Sequence, residues 1–440
     1  MDPAALRVRL GGSLRPLRDR PFRGMFAGAV CSGATDGIVP VAFAVYSVQA
    51  FGSAASLTII LIALWAGRFA CTPLAGIAAG RRDQFTVMIL SDAARIAAQG
   101  GLALFSVVAG RDSLLAMSVS AGIYGAATAF YGPAVQTALP RVVPAPDLRT
   151  ANALVAMVAD LSVLAGPALA VVLLETTGFV WILVFDSVTF AMNLLALMYA
   201  RRSAGDRPAD ADSPAGGEPF RRAGNGGAVR ATLAEMPWLG WSVGLWFAVS
   251  VAIGVVAVAG PALTVARTGE GGYWAALATG MALAGLAGSV SVAAGQPRAG
   301  WRFTSFSLGV AVAVELVAIA GYARGSAGYA VLFAGCLIAG WAVSVAGIIW
   351  QSLVQVALPT RALGGFSSVE GFVNAAGVPA GMIIGGLALA AGGFGFAAVA
   401  IALAILVLAG IVRVVTRPAE GRPEVVGGAV RAGRDPAHQR

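Results

Sequence analysis

The chain has 440 residues, of which 58% are hydrophobic and only 12% charged, and its mean hydropathy is +0.81. Soluble domains carry about 25% charged residues, so the composition excludes a soluble globular protein and predicts that lipid surrounds most of the chain. The net charge is +9, but the basic residues form short clusters between apolar runs, which argues against a nucleic-acid partner. Every basic side chain is arginine, and with 58 glycines this bias indicates a GC-rich bacterial gene.

Apolar runs of about 20 residues, the length that crosses a bilayer, recur along the whole chain. We predict twelve transmembrane helices, at residues 24–50, 54–79, 85–109, 113–138, 151–174, 179–200, 238–266, 272–295, 303–322, 328–357, 366–391 and 394–415. Arginine is concentrated in every second connection and is represented on the other side by Arg111, Arg267 and Arg324. The positive-inside rule then places both termini in the cytoplasm of a multi-pass protein of the cell membrane.

A short sequence motif occurs twice, at Val135–Arg141 and, about half the chain length later, at Val354–Arg361. Each copy ends a long apolar run, and the run that follows contains Gly166 and Pro167 in the first half and Pro379 in the second, where we expect helix bends. The repetition predicts an all-α membrane fold of two pseudo-symmetric six-helix bundles, the arrangement typical of transporters. The predicted organisation is a cytoplasmic segment (1–23), a first bundle (24–200), a flexible linker (201–236), a second bundle (237–415) and a disordered tail (416–440).

Several sequence segments in the first half resemble those of a known family: Asp36-Gly37, Gly76–Asp83, Ser91–Arg95, Tyr131–Leu154, Gly166-Pro167 and Phe185–Phe190. They are similar to major facilitator superfamily transporters, and within that superfamily to the branch of enterobactin exporters and macrolide-efflux proteins, also called transmembrane secretion effectors. The resemblance covers residues 22–415. It implies twelve helices in two bundles and transport by alternating access.

The resemblance also implies a gating loop between the second and third helices. Gly76 and Arg81 match its signature, but Gly80 stands where the family has an aspartate, so the gating contact is in doubt unless Asp83 substitutes for it. Asp92 and Arg95 lie close to this loop and share one helix face, which indicates either gating residues or simple mutual neutralisation.

Ionisable groups inside a membrane are costly, so those that occur there usually have a function. We predict that Asp36 and Asp160 couple transport to protons and that Arg68 lies in the substrate cavity. The structural alternatives are that Asp36 is a helix-packing carboxylate and that Arg68 is a counter-ion for Asp36 or Asp160. Further cavity candidates, aromatic or amide side chains of helices four, ten and eleven, are Phe130, Tyr131, Gln136, Gln351, Gln355 and Asn374.

The predicted function is proton-coupled export of hydrophobic or amphipathic small molecules, such as drugs, siderophores or secondary metabolites. No phosphate-binding Gly-x-x-x-x-Gly-Lys-Ser/Thr run is present, so energy must come from an ion gradient or from the substrate's own gradient, and the carboxylates within the spans favour protons. With one histidine in the chain we expect no enzyme activity, no metal and no cofactor. The expected partners are a small-molecule substrate, protons and the lipid bilayer, with the protein itself a monomer. The alternatives are an importer or facilitator of a small metabolite, and a transport-inactive scaffold or sensor.

Overall fold

A computed structural model describes residues 14–52, 54–205, 233–270, 272–295 and 299–416 of the chain. These residues form thirteen α-helices and two short 3-10 turns, with no β-strand in the described ranges. The α-helices are α1 (Arg20–Asp36), α2 (Val39–Phe51), α3 (Ala54–Arg81), α4 (Gln84–Ala109), α5 (Leu114–Val142), α6 (Leu148–Thr176), α7 (Phe179–Ala204), α8 (Pro237–Thr268), α9 (Gly272–Ala293), α10 (Trp301–Arg324), α11 (Tyr329–Ala357), α12 (Thr360–Ala390) and α13 (Phe394–Val415).

Eleven of these helices, in the described part of the chain, are long and apolar enough to cross a membrane, and the apolar α2 is shorter. The first predicted span, 24–50, is in fact two helices, α1 and α2, separated at Gly37 and Ile38. Pro40 has no backbone N–H and cannot donate to the carbonyl of Asp36 four residues earlier, so the helical ladder is interrupted at this point. The twelve predicted spans are therefore correct in number if α1 and α2 count as one broken span.

The predicted domain boundaries can be compared only in part. Helix α1 begins at Arg20, inside the segment predicted as 1–23, because a 3-10 turn at Arg15–Arg18 leads directly into it. Helix α7 ends at Ala204 and α8 begins at Pro237, so most of the predicted linker 201–236 lies outside the described residues. The predicted tail 416–440 lies outside them from residue 417 onward.

Helices α1–α7 form one bundle and α8–α13 form the second. The bundles meet in a symmetric way, because α3 of the first packs against α12 of the second, and α6 of the first packs against α9 of the second. The end of the molecule at which α3 ends, α4 begins and α13 ends is called here the terminal end. Above it, the exposed Asp36 of α1 and Arg68 of α3 lie midway along the spans of the first bundle, and the space between the bundles at this level is called here the cavity.

Close glycine contacts hold each bundle together at corresponding places. A Cβ on Gly166 of α6 would lie 2.5 Å from the backbone of Gly37, so the break after α1 packs directly on the Gly166-Pro167 pair. In the second bundle a Cβ on Gly381 of α12 would lie 2.8 Å from the carbonyl carbon of Val251, beside Gly254 of α8. Small residues allow such close approach in membranes, where the hydrophobic effect does not drive helices together. The expected bend residues Pro167 and Pro379 lie within continuous helices beside these two crossings.

The crossing of α1 and α6 predicts a steric effect of a single methyl group. Gly37 has an ordinary right-handed backbone conformation, but a Cβ there would clash with the carbonyl oxygen of Ser162. We expect Gly37→Ala to destabilise the protein by about 1–3 kcal/mol through overpacking, measured as a lower unfolding midpoint in detergent. Gly101→Ala on α4 is the matched control, because a Cβ there meets nothing within 4 Å. Equal midpoints for the two variants would contradict the close contact.

Candidate functional site

A buried arginine organises the polar interior of the first bundle. Arg95 of α4 is 3% exposed and pairs with Asp92, one turn earlier, at 3.6 Å. Its guanidinium lies over three aromatic rings, at 5.6 Å from Tyr124, 4.9 Å from Tyr131 and 5.0 Å from Phe190. Aromatic faces attract a cation, so the rings compensate part of the cost of burying this charge.

Asn193 of α7 connects this arginine cluster to the neighbouring helices. Its Nδ2 donates to Asp92 Oδ2 at 2.8 Å and to the Tyr131 hydroxyl at 3.1 Å. The three helices α4, α5 and α7 are thus joined by polar contacts that exclude lipid. Asp92 and Arg95, predicted as gating residues, contact each other and these aromatic and amide groups inside one bundle.

Asp36 brings this network to the cavity. It is the last residue of α1, its side chain is exposed, and the hydroxyl of the buried Tyr124 donates to its Oδ1 at 3.1 Å. Arg95 attracts the Asp36 carboxylate electrostatically from the other side of Tyr124. A continuous set of polar groups therefore extends from the cavity surface at Asp36 to Asp92, deep inside the bundle.

Carboxyl groups outnumber the cation in this network. Asp36, Asp92 and the wholly buried Asp186 of α7 all interact electrostatically with the single guanidinium of Arg95. Carboxyl groups that share one guanidinium are electrostatically coupled, so a change of charge on one of them affects the others. The arrangement can bind and release a proton.

Asp160 has a different environment from Asp36. It lies on α6, half-buried, and accepts a hydrogen bond of 2.6 Å from Ser289 Oγ on α9 of the second bundle. Ser289 is also 2.9 Å from the hydroxyl of Ser344 on α11. Asp160 therefore joins the two bundles, whereas Asp36 is bonded within the first.

Arg68 is the other charged residue predicted for the cavity. It lies in the middle of α3, is exposed, and its guanidinium is 5.4 Å from the centre of the Trp65 ring. It forms no ion pair with any carboxylate of the described residues, so the expected pairing with Asp36 or Asp160 is not observed.

The two copies of the sequence repeat meet at the terminal end. Gln355 Nε2 of α11 donates to Gln136 Oε1 of α5 at 2.7 Å. Asn152 of α6 donates from its Nδ2 to Gln355 Oε1 at 2.7 Å and to Ser352 Oγ at 3.1 Å. Gln136 and Gln355, both predicted as cavity or substrate-binding residues, are thus bonded to each other between the bundles at this end.

Glycines complete the closure beside these amides. A Cβ on Gly364 of α12 would lie 2.6 Å from the backbone nitrogen of Gly80, and one on Gly76 would lie 2.6 Å from Ser368 Cβ. Gly80, the position at which the family signature has an aspartate, thus lies where α3 and α12 are in backbone contact. A close crossing of small residues takes the place of a charged contact here.

The other residues of the loop signature make contacts within the first bundle. Asp83 caps α4 by accepting from the backbone N–H of Thr86 at 3.0 Å, and it forms an ion pair with Arg201 at 3.1 Å. Asp83 is therefore engaged away from α12, the helix that a substitute for the lost aspartate would have to reach. Arg81 is the exposed last residue of α3.

Three expected cavity residues lie apart from these contacts. Phe130 packs against the apolar core at the terminal end of the first bundle. Gln351 is partly buried one turn before Gln355, and Asn374 is partly buried with its Oδ1 lacking a partner in the described structure. Tyr131 contacts Arg95 and Asn193 inside the bundle, as described above.

Sequence reasoning missed Tyr124, Asn193 and Asn152. A signal for the first two existed. Tyr124 and Tyr131 are seven residues apart, as are Asp186 and Asn193, so each pair shares one helix face inside an otherwise apolar span. Asn152 had no such signal, because its partner Gln355 belongs to the other half of the chain.

The architecture and the polar interior are those of a membrane transporter. The Major Facilitator Superfamily profile matches residues 25–377, and the chain belongs to that superfamily. No curated protein matches the sequence.

Solved transporter structures share the fold. A bacterial homologue of the iron transporter ferroportin, in an outward-facing state, superposes with a TM-score of 0.69 at 18% identity over 90% of this chain and 98% of that one. The Escherichia coli fucose:proton symporter FucP has a TM-score of 0.67 at 14% identity, over 92% of this chain and 100% of that one. The proton:xylose symporter XylE has a TM-score of 0.64 at 13% identity, over 90% and 96%. These likenesses describe the fold.

The amide contacts at the terminal end predict how the closed state is held. Gln355→Ala removes the bonds to Gln136 and Asn152, at a cost of about 2 kcal/mol, so the ratio of open to closed molecules should rise about thirtyfold. The measurement is the electron-spin distance between labels at Arg202→Cys and Val414→Cys, both exposed positions at the terminal end. A population with a longer distance should appear.

Gln351→Ala is the control for this experiment, because Gln351 lies on the same helix, one turn away, and has no hydrogen bond in the described structure. Cys31 and Cys71 are replaced by serine to keep labelling specific, whereas Cys336 is buried. An unchanged distance distribution in Gln355→Ala, or the same change in Gln351→Ala, would contradict a role of this amide pair in closure.

Proposed function

We propose that the protein is a secondary active transporter that exports hydrophobic or amphipathic small molecules by alternating access, in exchange for protons. The observation that carries the proton coupling is the polar network that begins at Asp36. Its cavity end, Asp36, is exposed, and its interior holds two further carboxyl groups, Asp92 and Asp186, near the same guanidinium of Arg95. Such a set can accept a proton from the cavity and transmit the change in charge to the packing of four helices.

Asp160 is the second proposed coupling residue, because its side-chain hydrogen bond in the described structure joins the two bundles. Its ionised carboxylate accepts from Ser289, and protonation removes the charge that strengthens this bond. A proton on Asp160 would therefore favour separation of α6 from α9. Asp36 would sense the proton in the cavity, and Asp160 would relate protonation to movement of the bundles.

Alternating access is supported by the kind of contacts that close the terminal end. The glutamine pair and the glycine crossing are short-range contacts between two otherwise rigid bundles, so a small rotation breaks them together. The distribution of arginine favours a cytoplasmic position for this end. The structure then corresponds to a transporter that is closed to the cytoplasm.

Export and the substrate class rest on the sequence resemblance to the efflux branch. The neighbours FucP and XylE are named as proton symporters, which supports proton coupling but is also compatible with import. The ferroportin homologue is named for iron transport. Among the described residues no group of three or more His, Cys, Asp or Glu side chains is placed so that it could hold a metal ion, so the proposal does not include a metal-ion substrate.

The role of Asp36 can be measured as proton movement. In respiring everted vesicles, addition of a transported compound from a panel of macrolides, lipophilic dyes and catecholates should partly dissipate the acid interior, reported by an acridine dye. Asp36→Asn should abolish this response because the amide cannot bind the proton. Asp112→Asn should behave as the wild type, since Asp112 accepts only from the Tyr46 hydroxyl in a loop. A full response in Asp36→Asn would refute its assignment.

The direction of transport distinguishes the exporter from an importer or facilitator. Energised intact cells that express the wild type should accumulate less of the compound found in the vesicle assay than cells that express Asp36→Asn, and collapse of the proton gradient should remove the difference. Greater accumulation in wild-type cells would establish import instead. No response of a folded protein to any compound of the panel would favour the scaffold or sensor.

A further inference from the structure

Arg68 lies near the middle of its transmembrane helix, where a positive charge has a high free-energy cost unless something stabilises it. Helix α3 runs from Ala54 to Arg81, and Arg68 is at its centre, about 20 Å from either end at 1.5 Å per residue. A lipid headgroup is out of reach at that depth, since the hydrocarbon core is about 30 Å thick. The cost of a charge there must be met by protein, by water in a cavity or by a ligand.

Helical geometry shows that Arg68 faces the cavity and not the lipid. Ile59 and Ile77 lie nine residues before and after Arg68, so at 100° per residue they point from the opposite face of the helix. Their side chains are 46% and 40% exposed, which identifies that face as the outer surface of the bundle. Ala75 and Ala79 share the face of Arg68 and are wholly buried at the closed terminal end. Arg68 is nevertheless exposed, so the same face opens into the space between the bundles above the closure.

The protein does not neutralise this cation. No described carboxylate forms an ion pair with Arg68, and the charged group that acts on it is Arg95, which repels it. The two cavity acids already have protein donors, because Asp36 accepts from Tyr124 and Asp160 accepts from Ser289. The cavity therefore contains an unpaired positive charge next to acids that are engaged elsewhere.

Aromatic rings extend from Arg68 to the second bundle. Trp65 lies under the guanidinium, Phe69 is 5.6 Å from Trp65, and Phe372 of α12 is 5.6 Å from Phe69 in an edge-to-face contact. Trp65 and Phe372 are 38% and 44% exposed, so their faces are available to a ligand. The rings form an apolar surface that begins at the cation and crosses the boundary between the bundles.

We propose that Arg68 binds the anionic group of an amphipathic aromatic substrate, a carboxylate or a similar oxyanion, whose ring packs on Trp65, Phe69 and Phe372. A guanidinium pairs with a carboxylate in a bidentate way, and the dry surroundings strengthen that pair. A ligand on these rings touches α3 and α12 together, so it binds across the boundary that changes during alternating access. This narrows the substrate class of the proposed transporter and rests on that proposal.

The test compares three ligands with one skeleton: 2-naphthoate, 2-naphthamide and protonated 2-naphthylmethylamine. Their binding to the full chain in nanodiscs is measured by equilibrium dialysis at neutral pH without a proton gradient. We expect the wild type to bind naphthoate at least about tenfold more tightly than the amide, because one charge-assisted hydrogen bond contributes that much to the affinity. The ammonium compound should bind least. Arg68→Gln should remove the preference for the anion, and Arg68→Lys should keep most of it.

Arg111→Gln is the matched control, since Arg111 lies in the turn between α4 and α5 and should not affect the preference. Unfolding midpoints of all variants show whether a loss reflects misfolding, and Arg68→Lys separates charge from shape. Naphthoate binding no tighter than the amide in the wild type, absence of binding included, overturns the proposal, as does a preference that persists in Arg68→Gln. Asp36→Asn should retain the preference, so failure of proton coupling and failure of this site are scored separately.

Discussion

Direct contact between helix backbones is the constraint on which this structure depends. In lipid the hydrophobic effect gives no preference for one helix neighbour over another, so the packing is decided by where two backbones can approach. Gly37 and Gly166 provide that contact in the first bundle, and Gly254 and Gly381 provide its counterpart in the second. The pseudo-symmetry of the fold is therefore a symmetry of contact points as well as of helix order.

The same kind of contact governs the terminal end, where it replaces charge. The family that the chain resembles has an aspartate at the position of Gly80, and without it the charged gating contact of that loop is lost. With glycine there, α3 and α12 instead touch through Gly76, Gly80 and Gly364. A closure made by packing and by neutral amides strips no ions of water when the bundles come together and leaves no ion pair to be broken when they separate.

Charge is distributed unequally between two halves that share one frame. The first bundle holds Asp36, Asp92 and Arg95 in one polar network, the buried Asp186 interacts with Arg95 electrostatically, and Arg68 lies beside the cavity. In the second bundle the buried acid Glu370 accepts from the indole of Trp350 within an aromatic cluster, and Glu315 is buried beside Cys336. The duplicated scaffold thus gives the two bundles corresponding packing contacts, while the acids grouped around an arginine lie in the first bundle.

The sequence by itself determined that the protein spans a membrane, how many spans it has and that its two halves correspond. The length of an apolar run and the presence of a repeated motif can be seen without knowing any tertiary contact. It also determined which charges lie inside the membrane. It did not indicate that Asp36 stands at a helix break, although Gly37 and Pro40 were visible, since one such pair within an apolar run is compatible with a continuous helix.

Only the tertiary structure decided what those charges and amides contact. Asp160 meets Ser289, Gln136 meets Gln355 and Arg68 meets no acid in the described structure, and each of these results depends on residues far away in the chain. Spacing along a helix reports which face a side chain shares, but not which helix lies opposite it. The identity of the facing helix is decided by the close packing of many helices in the two bundles, and the sequence of one span does not contain that information.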